Sequence, residues 1–176
     1  ASPGYFASGN GSTNQTACPS GTYNPNTSSN SSTDCLVTQA GNYSGSGSPS
    51  QTQCQPGTWQ NQTGQESCNN ATSGHYSGGF GSTSETPCPP GTWQDQEGQG
   101  SCNNASAGYY SDGNGSTVQT ACSPGTWQNQ AGQSGCIEAD AGNHTGGVEV
   151  VSGNAGFSCA IFTDETMRCW GTNHRG

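Results

Sequence analysis

Large apolar side chains are rare along most of this chain, and they never recur at the spacing of an amphipathic helix. Only 12 of the 176 residues are Leu, Ile, Val or Phe, and six of those fall between Val148 and Phe162. Elsewhere, single aromatic residues stand among Gly, Ser, Thr, Asn and Gln. The pattern predicts loops, turns and short strands, and it excludes a conventional hydrophobic core over most of the length.

A unit of about 34 residues recurs four times in this polar background. A tetratricopeptide helix pair has the same period, but the density of Gly, Ser, Thr and Asn argues against helices. We therefore divide the chain into repeats 1–39, 40–72, 73–106 and 107–140, followed by a C-terminal segment 141–176. The repeats open with Gly4, Gly41, Gly74 and Gly108. Gly142 opens a fifth copy whose pattern does not continue.

Each repeat carries a turn signal after its first cysteine. Pro56-Gly57, Pro90-Gly91 and Pro124-Gly125 fit a type II turn, in which Pro sets the first central φ and Gly supplies the positive second one. The first repeat has Pro19-Ser20-Gly21 instead, which leaves its turn type open. A Thr and an aromatic residue then predict a short strand in every repeat. The aromatic residues are Tyr23, Trp59, Trp93 and Trp127.

Ten cysteines in a chain without a core predict a disulfide framework that forms in an oxidising compartment. Among the many arrangements that eight cysteines allow, we prefer bonds within each repeat. Each such bond would contribute roughly 3 kcal/mol in the chain-entropy model. The preferred pairs are Cys18–Cys35, Cys54–Cys68, Cys88–Cys102 and Cys122–Cys136.

The unit C-x-P-G-T-[WY]-x4-G-x3-C, followed by A-G-x-Y-S-x-G, resembles the growth-factor-receptor or ephrin-receptor-like cysteine-rich repeats, which are related to the tumour necrosis factor receptor modules. The likeness covers Pro3 to Asp140. It implies an elongated array of short β-ladders with a bond from the first to the second cysteine of each repeat. The chain lacks the additional cysteines of the family's C-x-x-C pair. The expected fold is thus a small, disulfide-rich, mostly β and irregular tandem array.

The C-terminal segment has a different composition. FSCAIFTDETMRCWGTNHRG, from Phe157, predicts strand, turn and strand with Asp164-Glu165 at the turn. Cys159 and Cys169 are equidistant from Asp164, so they can face each other across this hairpin and bond. The stretch resembles a regulator-of-chromosome-condensation-like propeller repeat. Because one propeller unit needs neighbours to bury its faces, we expect a docking partner or a continuation.

Ten of the sixteen asparagines lie in N-x-[ST] sequons, which predicts a glycoprotein. Duplication of a Ser- and Thr-rich repeat is the simpler explanation for part of this density. Together with the cysteines, the sequons predict an extracellular or cell-surface location. The sequon asparagines are Asn10, Asn14, Asn26, Asn30, Asn42, Asn61, Asn70, Asn104, Asn114 and Asn143.

Charge and motif content argue against several functions. A net charge of −9 with two arginines and no lysine disfavours nucleic acid, and no apolar run predicts a membrane span. His75, His144 and His174 form no motif, and His75 and His144 are better explained as aromatic substitutes at the Tyr position of the repeat. The acidic pairs Asp95 with Glu97 and Glu138 with Asp140 are better explained as solvated loops than as a calcium site. We predict no catalytic residue, no metal and no cofactor.

The sequence leaves two functions. The first is a structural glycoprotein of a filament, appendage or cell-surface matrix, which would associate with itself or with other surface proteins. Algal and protist surface proteins, including the flagellar hairs called mastigonemes, are similar in combining such repeats with other modules. The alternative is a receptor or adhesion ectodomain that presents a ligand-binding face.

Overall fold

The computed structural model describes residues 1–9 and 11–139, together with the backbone of 149–152, 157–161 and 167–171. The chain divides into two compact units. One contains residues 1–122 and 128–135, and the other contains residues 123–127 and 136–176.

Each predicted repeat contains two antiparallel hairpins whose strands are two residues long. Strands this short follow from single aromatic positions between turn residues. The first hairpins pair Tyr5–Phe6 with Thr16–Ala17, Asn42–Tyr43 with Thr52–Gln53, His75–Tyr76 with Thr86–Pro87, and Tyr109–Tyr110 with Thr120–Ala121. The second hairpins pair Thr22–Tyr23 with Leu36–Val37, Thr58–Trp59 with Asn69–Asn70, Thr92–Trp93 with Asn103–Asn104, and Thr126–Trp127 with Ile137–Glu138.

Both hairpins of a repeat open with the same turn. Thr58 N–H donates to Gln55 O at 2.9 Å around Pro56-Gly57, and Gly57 has φ +90°, as the type II prediction requires. The first hairpins use the same hydrogen bond, for example from His75 N–H to Thr72 O at 2.9 Å. The first repeat also makes it around Ser20-Gly21, so its turn does not differ there. We call the glycine of this turn the opening glycine. The opening glycines are Gly4, Gly21, Gly41, Gly57, Gly74, Gly91, Gly108 and Gly125.

The structural period is therefore about half of the sequence repeat. The loop of each hairpin from the third onward contains a second glycine with positive φ, which we call the turn glycine. The turn glycines recur at a constant interval, whereas cysteines occupy equivalent positions only in every second hairpin. They are Gly47, Gly64, Gly81, Gly98, Gly115 and Gly132.

Successive hairpins are joined by a repeated pair of backbone hydrogen bonds. Gly57 N–H donates to Ser77 O in the next hairpin at 2.7 Å, and Gln60 N–H donates to Ser82 O at 3.0 Å. The first of these bonds is 2.7–2.8 Å long at all seven opening glycines from Gly4 to Gly108. Backbone groups that a short strand would leave unpaired are thus satisfied by the neighbouring hairpin.

Hairpins two apart are also in contact, which joins one repeat to the next. Gly98 N–H donates to Ala71 O at 2.7 Å, and Gly98 O lies directly over the Cα of Gly57. No side chain could be placed between them, because a Cβ on Gly57 would overlap this oxygen. The same contact joins Gly4 to Gly47, Gly21 to Gly64, Gly41 to Gly81, Gly57 to Gly98, Gly74 to Gly115, and Gly91 to Gly132.

The interior is small and polar. Its apolar members are cysteines and alanines, namely Cys18, Cys54, Ala71, Cys88 and Ala105. Three residues after every opening glycine except Gly4, a polar side chain is buried and satisfied. Ser77 Oγ donates to Thr58 O at 3.0 Å, whereas Gln60 donates to Ser67 O at 3.0 Å and accepts from Gln62 N–H at 3.1 Å. These bonds offset the cost of removing amides and hydroxyls from water.

The insert of the first repeat fits the same scheme. Ser28 takes the place of a turn glycine: it has φ +61°, and its N–H donates to Ala1 O at 2.8 Å. It is the only non-glycine residue with positive φ in the part of the chain that is described. The extra residues form a 3-10 turn, Ser32–Asp34, where Asp34 accepts from Asn30 N–H and Ser31 N–H.

The C-terminal segment forms a three-stranded antiparallel sheet, Glu149–Ser152, Phe157–Ile161 and Met167–Gly171. The two predicted strands are confirmed, and Glu149–Ser152 is an additional one. Cys159 and Cys169 are directly opposite in the register of the last two strands. The predicted turn at Asp164-Glu165 lies outside the described residues, and the bond between the two cysteines stays a prediction.

Candidate functional site

The disulfides connect the two hairpins of one repeat. Cys54 ends the first hairpin and is fully buried, whereas its partner Cys68 is half-buried in the second hairpin, with Cα atoms 5.8 Å apart. Cys18–Cys35 and Cys88–Cys102 have the same arrangement. The pairing that the sequence favoured is thus confirmed in the first three repeats. Cys122 and Cys136 are disulfide-bonded as well.

A hydrogen bond replaces the disulfide where one repeat meets the next. The residue equivalent to Cys54 in the second hairpin is Ala71, and the residue equivalent to Cys68 in the following hairpin is Glu85. The Glu85 carboxylate accepts from Thr72 N–H at 2.6 Å and from Thr72 Oγ1 at 3.1 Å. The same bond runs from Gln39 N–H to Gln51 and from Ser106 N–H to Gln119 at the other two junctions, and from Ser2 N–H to Gln15 at the start of the first repeat.

Disulfides within repeats thus alternate with hydrogen bonds between repeats, which explains why the additional cysteines of the family pattern are missing. The second position of the expected C-x-x-C is Thr38, Ala71, Ala105 or Ala139, and the first three of these residues are fully buried. A small side chain there fills the space under the next repeat without a covalent bond. The cysteine spacing revealed the pairing within repeats, but no sequence signal singled out the Gln and Glu side chains.

The described sequon asparagines divide by exposure. Asn14, Asn26, Asn30, Asn61, Asn70, Asn104 and Asn114 are exposed. Asn42 is half-buried in a strand, and its amide donates to Ala40 O at 3.2 Å. Asn10 and Asn143 lie outside the described residues. Seven of the described sequon asparagines thus have side chains that are exposed to solvent.

The periodic tryptophans are half-buried, with no exposed ladder of rings among the described residues. Trp59 and Trp93 bury their indole N–H groups, and neither group has a hydrogen-bond partner. An unsatisfied buried donor costs about 1–3 kcal/mol, which the ring must offset by its packing. The half-burial of all three rings supports a packing role for these side chains.

The remaining candidates are the histidines and the acidic residues. His75 is half-buried, and its Nδ1 lies 3.2 Å from Thr72 Oγ1 and 3.4 Å from Ser73 O. Asp95 and Glu97 are exposed, as is Glu138. His144, His174 and Asp140 fall outside the described residues. Within the described part of the chain, no group of three or more His, Cys, Asp or Glu residues is placed to hold a metal ion.

Comparison with known proteins agrees with the disulfide framework. Residues 74–122, the third repeat and the first hairpin of the fourth, match a family described as tyrosine-protein kinase ephrin type A/B receptor-like. No curated protein sequence matches the chain closely enough to count as a relative. Disulfide-rich domains of the ephrin-receptor-like kind are typical of extracellular and receptor-like surface proteins. No helix within the described residues is both long and apolar enough to cross a membrane.

Proposed function

We propose that this chain is a structural glycoprotein, a repeat subunit of an extracellular filament, appendage or surface matrix. The observation that carries the proposal is the contact that six of the opening glycines make with the turn glycine two hairpins on. A contact made of backbone atoms depends little on side-chain sequence, so it suits an array lengthened by duplication. The exposed sequons supply attachment points for a hydrophilic coat.

Electron microscopy of native material tests this proposal, with peptide mass mapping of the same sample. Filaments or matrix fragments that contain this chain, with sugar on several of the exposed asparagines, are the expected result. Dispersed monomers under gentle extraction would contradict it. Mild reduction provides a control, because loss of the disulfides should dissociate or unfold the subunits before any unrelated filament in the sample.

The second candidate is a receptor or adhesion ectodomain, and the ephrin-receptor-like match at residues 74–122 favours it. The same segment exposes Phe80 and Val118, at 68% and 63%, in a surface that is mostly polar. Saturable binding of a soluble partner that Phe80→Ser weakens would support this candidate. Ile137→Thr, an exposed apolar residue outside the matched segment, is the matched control.

A further inference from the structure

Disulfides close loops within the repeats but not the segments that join one repeat to the next. Tension on a chain passes through a disulfide and bypasses the loop that it closes. The loops Cys18–Cys35, Cys54–Cys68 and Cys88–Cys102, which span 17, 14 and 14 residues, are therefore shielded. From Cys35 to Cys122, the segments outside the loops carry the tension. They are residues 35–54, 68–88 and 102–122, and each contains one junction between repeats.

These junctions are held by hydrogen bonds and small buried side chains. Between the second and third repeats, the backbone bonds run from Gly57 to Ser77, from Gly81 to Cys54 and from Gly98 to Ala71. The Glu85 side chain holds Thr72 where a disulfide would stand within a repeat. Ala71 at the centre contributes one buried methyl group, so little apolar surface resists separation.

We propose that the chain is an extensible tether that lengthens at the junctions between repeats and keeps the disulfide loops closed. This mechanical function rests on the structural role proposed above. The 20 residues from Cys68 to Cys88 span at most about 70 Å when fully extended. The disulfides thus set a fixed limit on the extension of each junction, and the junction re-forms when the load is removed.

Single-molecule stretching of the whole chain, attached at its two ends, tests the proposal. The wild-type chain should lengthen in steps of about 20 residues of contour. Reductant added while the chain is held stretched should then lengthen it further, by the freed loops of 14 to 17 residues. No further lengthening on reduction would overturn the proposal, as would first steps longer than the segments outside the loops.

A double variant moves the limit at one junction. In Ala71→Cys/Glu85→Cys the new cysteines are 14 residues apart at positions equivalent to Cys54 and Cys68, so they should bond. Mass spectrometry of unreduced peptides checks the bond. One step of about 20 residues should then shrink to about 6, which are the residues between the new loop and the two native loops on either side of it.

Ala71→Ser/Glu85→Ser is the matched control without thiols, and its steps should keep the wild-type length. An unchanged step in the bonded double variant would overturn the proposal. If the new disulfide does not form, the effect of reduction on the wild-type chain still tests the proposal. Filaments without these steps would leave the structural role standing and remove the tether, whereas steps in a chain that forms no filament would do the reverse.

Discussion

The carbonyl oxygen of Gly98 lies over the Cα of Gly57, which belongs to the hairpin two places earlier, so that the two backbones meet without a side chain between them. Gly57 also has φ +90°, which L side chains rarely adopt. Positive φ and close approach are separate reasons for glycine at this position. The structure provides a way to separate their contributions.

Gly57→Ala should destabilise the array by more than the backbone strain alone. Gly115 also has a positive φ, +74°, but the nearest atoms to the place that a Cβ on Gly115 would take are 3.8 Å away, an ordinary van der Waals distance. Gly115→Ala should therefore cost only the strain, roughly 1–2 kcal/mol. We expect Gly57→Ala to cost about 2 kcal/mol more in chemical denaturation. Equal losses for the two variants would show that the contact with Gly98 is unimportant.

The sequence predicted the hairpin chemistry but missed its period. Cysteines recur at an equivalent position only in every second hairpin, as do the tryptophans, so the longer period dominates the sequence, whereas the backbone repeats at half that length. The signal was present in the turn glycines, such as Gly64, Gly81 and Gly98. It was obscured because, from the second repeat onward, each type of hairpin buries a different polar side chain, Ser in the first and Gln in the second.

Contacts between repeats could not be predicted in the same way. They join backbone atoms of hairpins that are not adjacent in the chain, and a backbone contact leaves no residue type in the sequence except glycine. The partner of Glu85 was hidden for the same reason, because a main-chain N–H at Thr72 has no sequence signature. Disulfide pairing was accessible since both partners are cysteines at a regular spacing.

Ser28→Gly should stabilise the first repeat. Ser28 has φ +61° at a turn-glycine position, and relief of this strain exceeds the greater freedom of glycine in the unfolded chain. We expect a gain of about 0.5–1 kcal/mol in thermal or chemical denaturation. The reverse change in a later turn, Gly98→Ser, should cost about 1 kcal/mol. Unglycosylated protein is needed, because Ser28 is also part of the Asn26 sequon.

Gln60→Ala should lower the stability of the array more than the replacement of an exposed polar residue would. The side chain is 4% exposed and satisfies both Ser67 O and Gln62 N–H. Its removal leaves two backbone groups without these partners, which should cost about 1–3 kcal/mol. The exposed neighbour Gln62 is the control, and Gln62→Ala should change stability by less than about 0.5 kcal/mol. Similar values for both variants would mean that the loop finds other partners.

Glu85→Ala should weaken the junction between the second and third repeats by about 1 kcal/mol, because Thr72 N–H loses its acceptor. Glu85→Gln should be close to neutral, since Gln119 holds Ser106 N–H at 2.7 Å at the next junction. Hydrogen exchange at Thr72 measures the effect directly. Exchange should accelerate in the alanine variant and remain near the wild-type rate in the glutamine variant.

Glycan mapping should separate Asn42 from the exposed sequons. The Asn42 amide donates to Ala40 O within a paired strand, so a sugar there would displace this bond and crowd the neighbouring hairpin. Asn61 lies in an exposed loop where a glycan meets only solvent. Enzymatic release of N-glycans in heavy-oxygen water should label Asn61 and leave Asn42 unlabelled. An Asn61→Gln variant should lose one glycan mass, whereas Asn42→Gln should lose none. Complete occupancy of Asn42 would show that modification precedes the folding of this hairpin and that the finished strand tolerates the sugar.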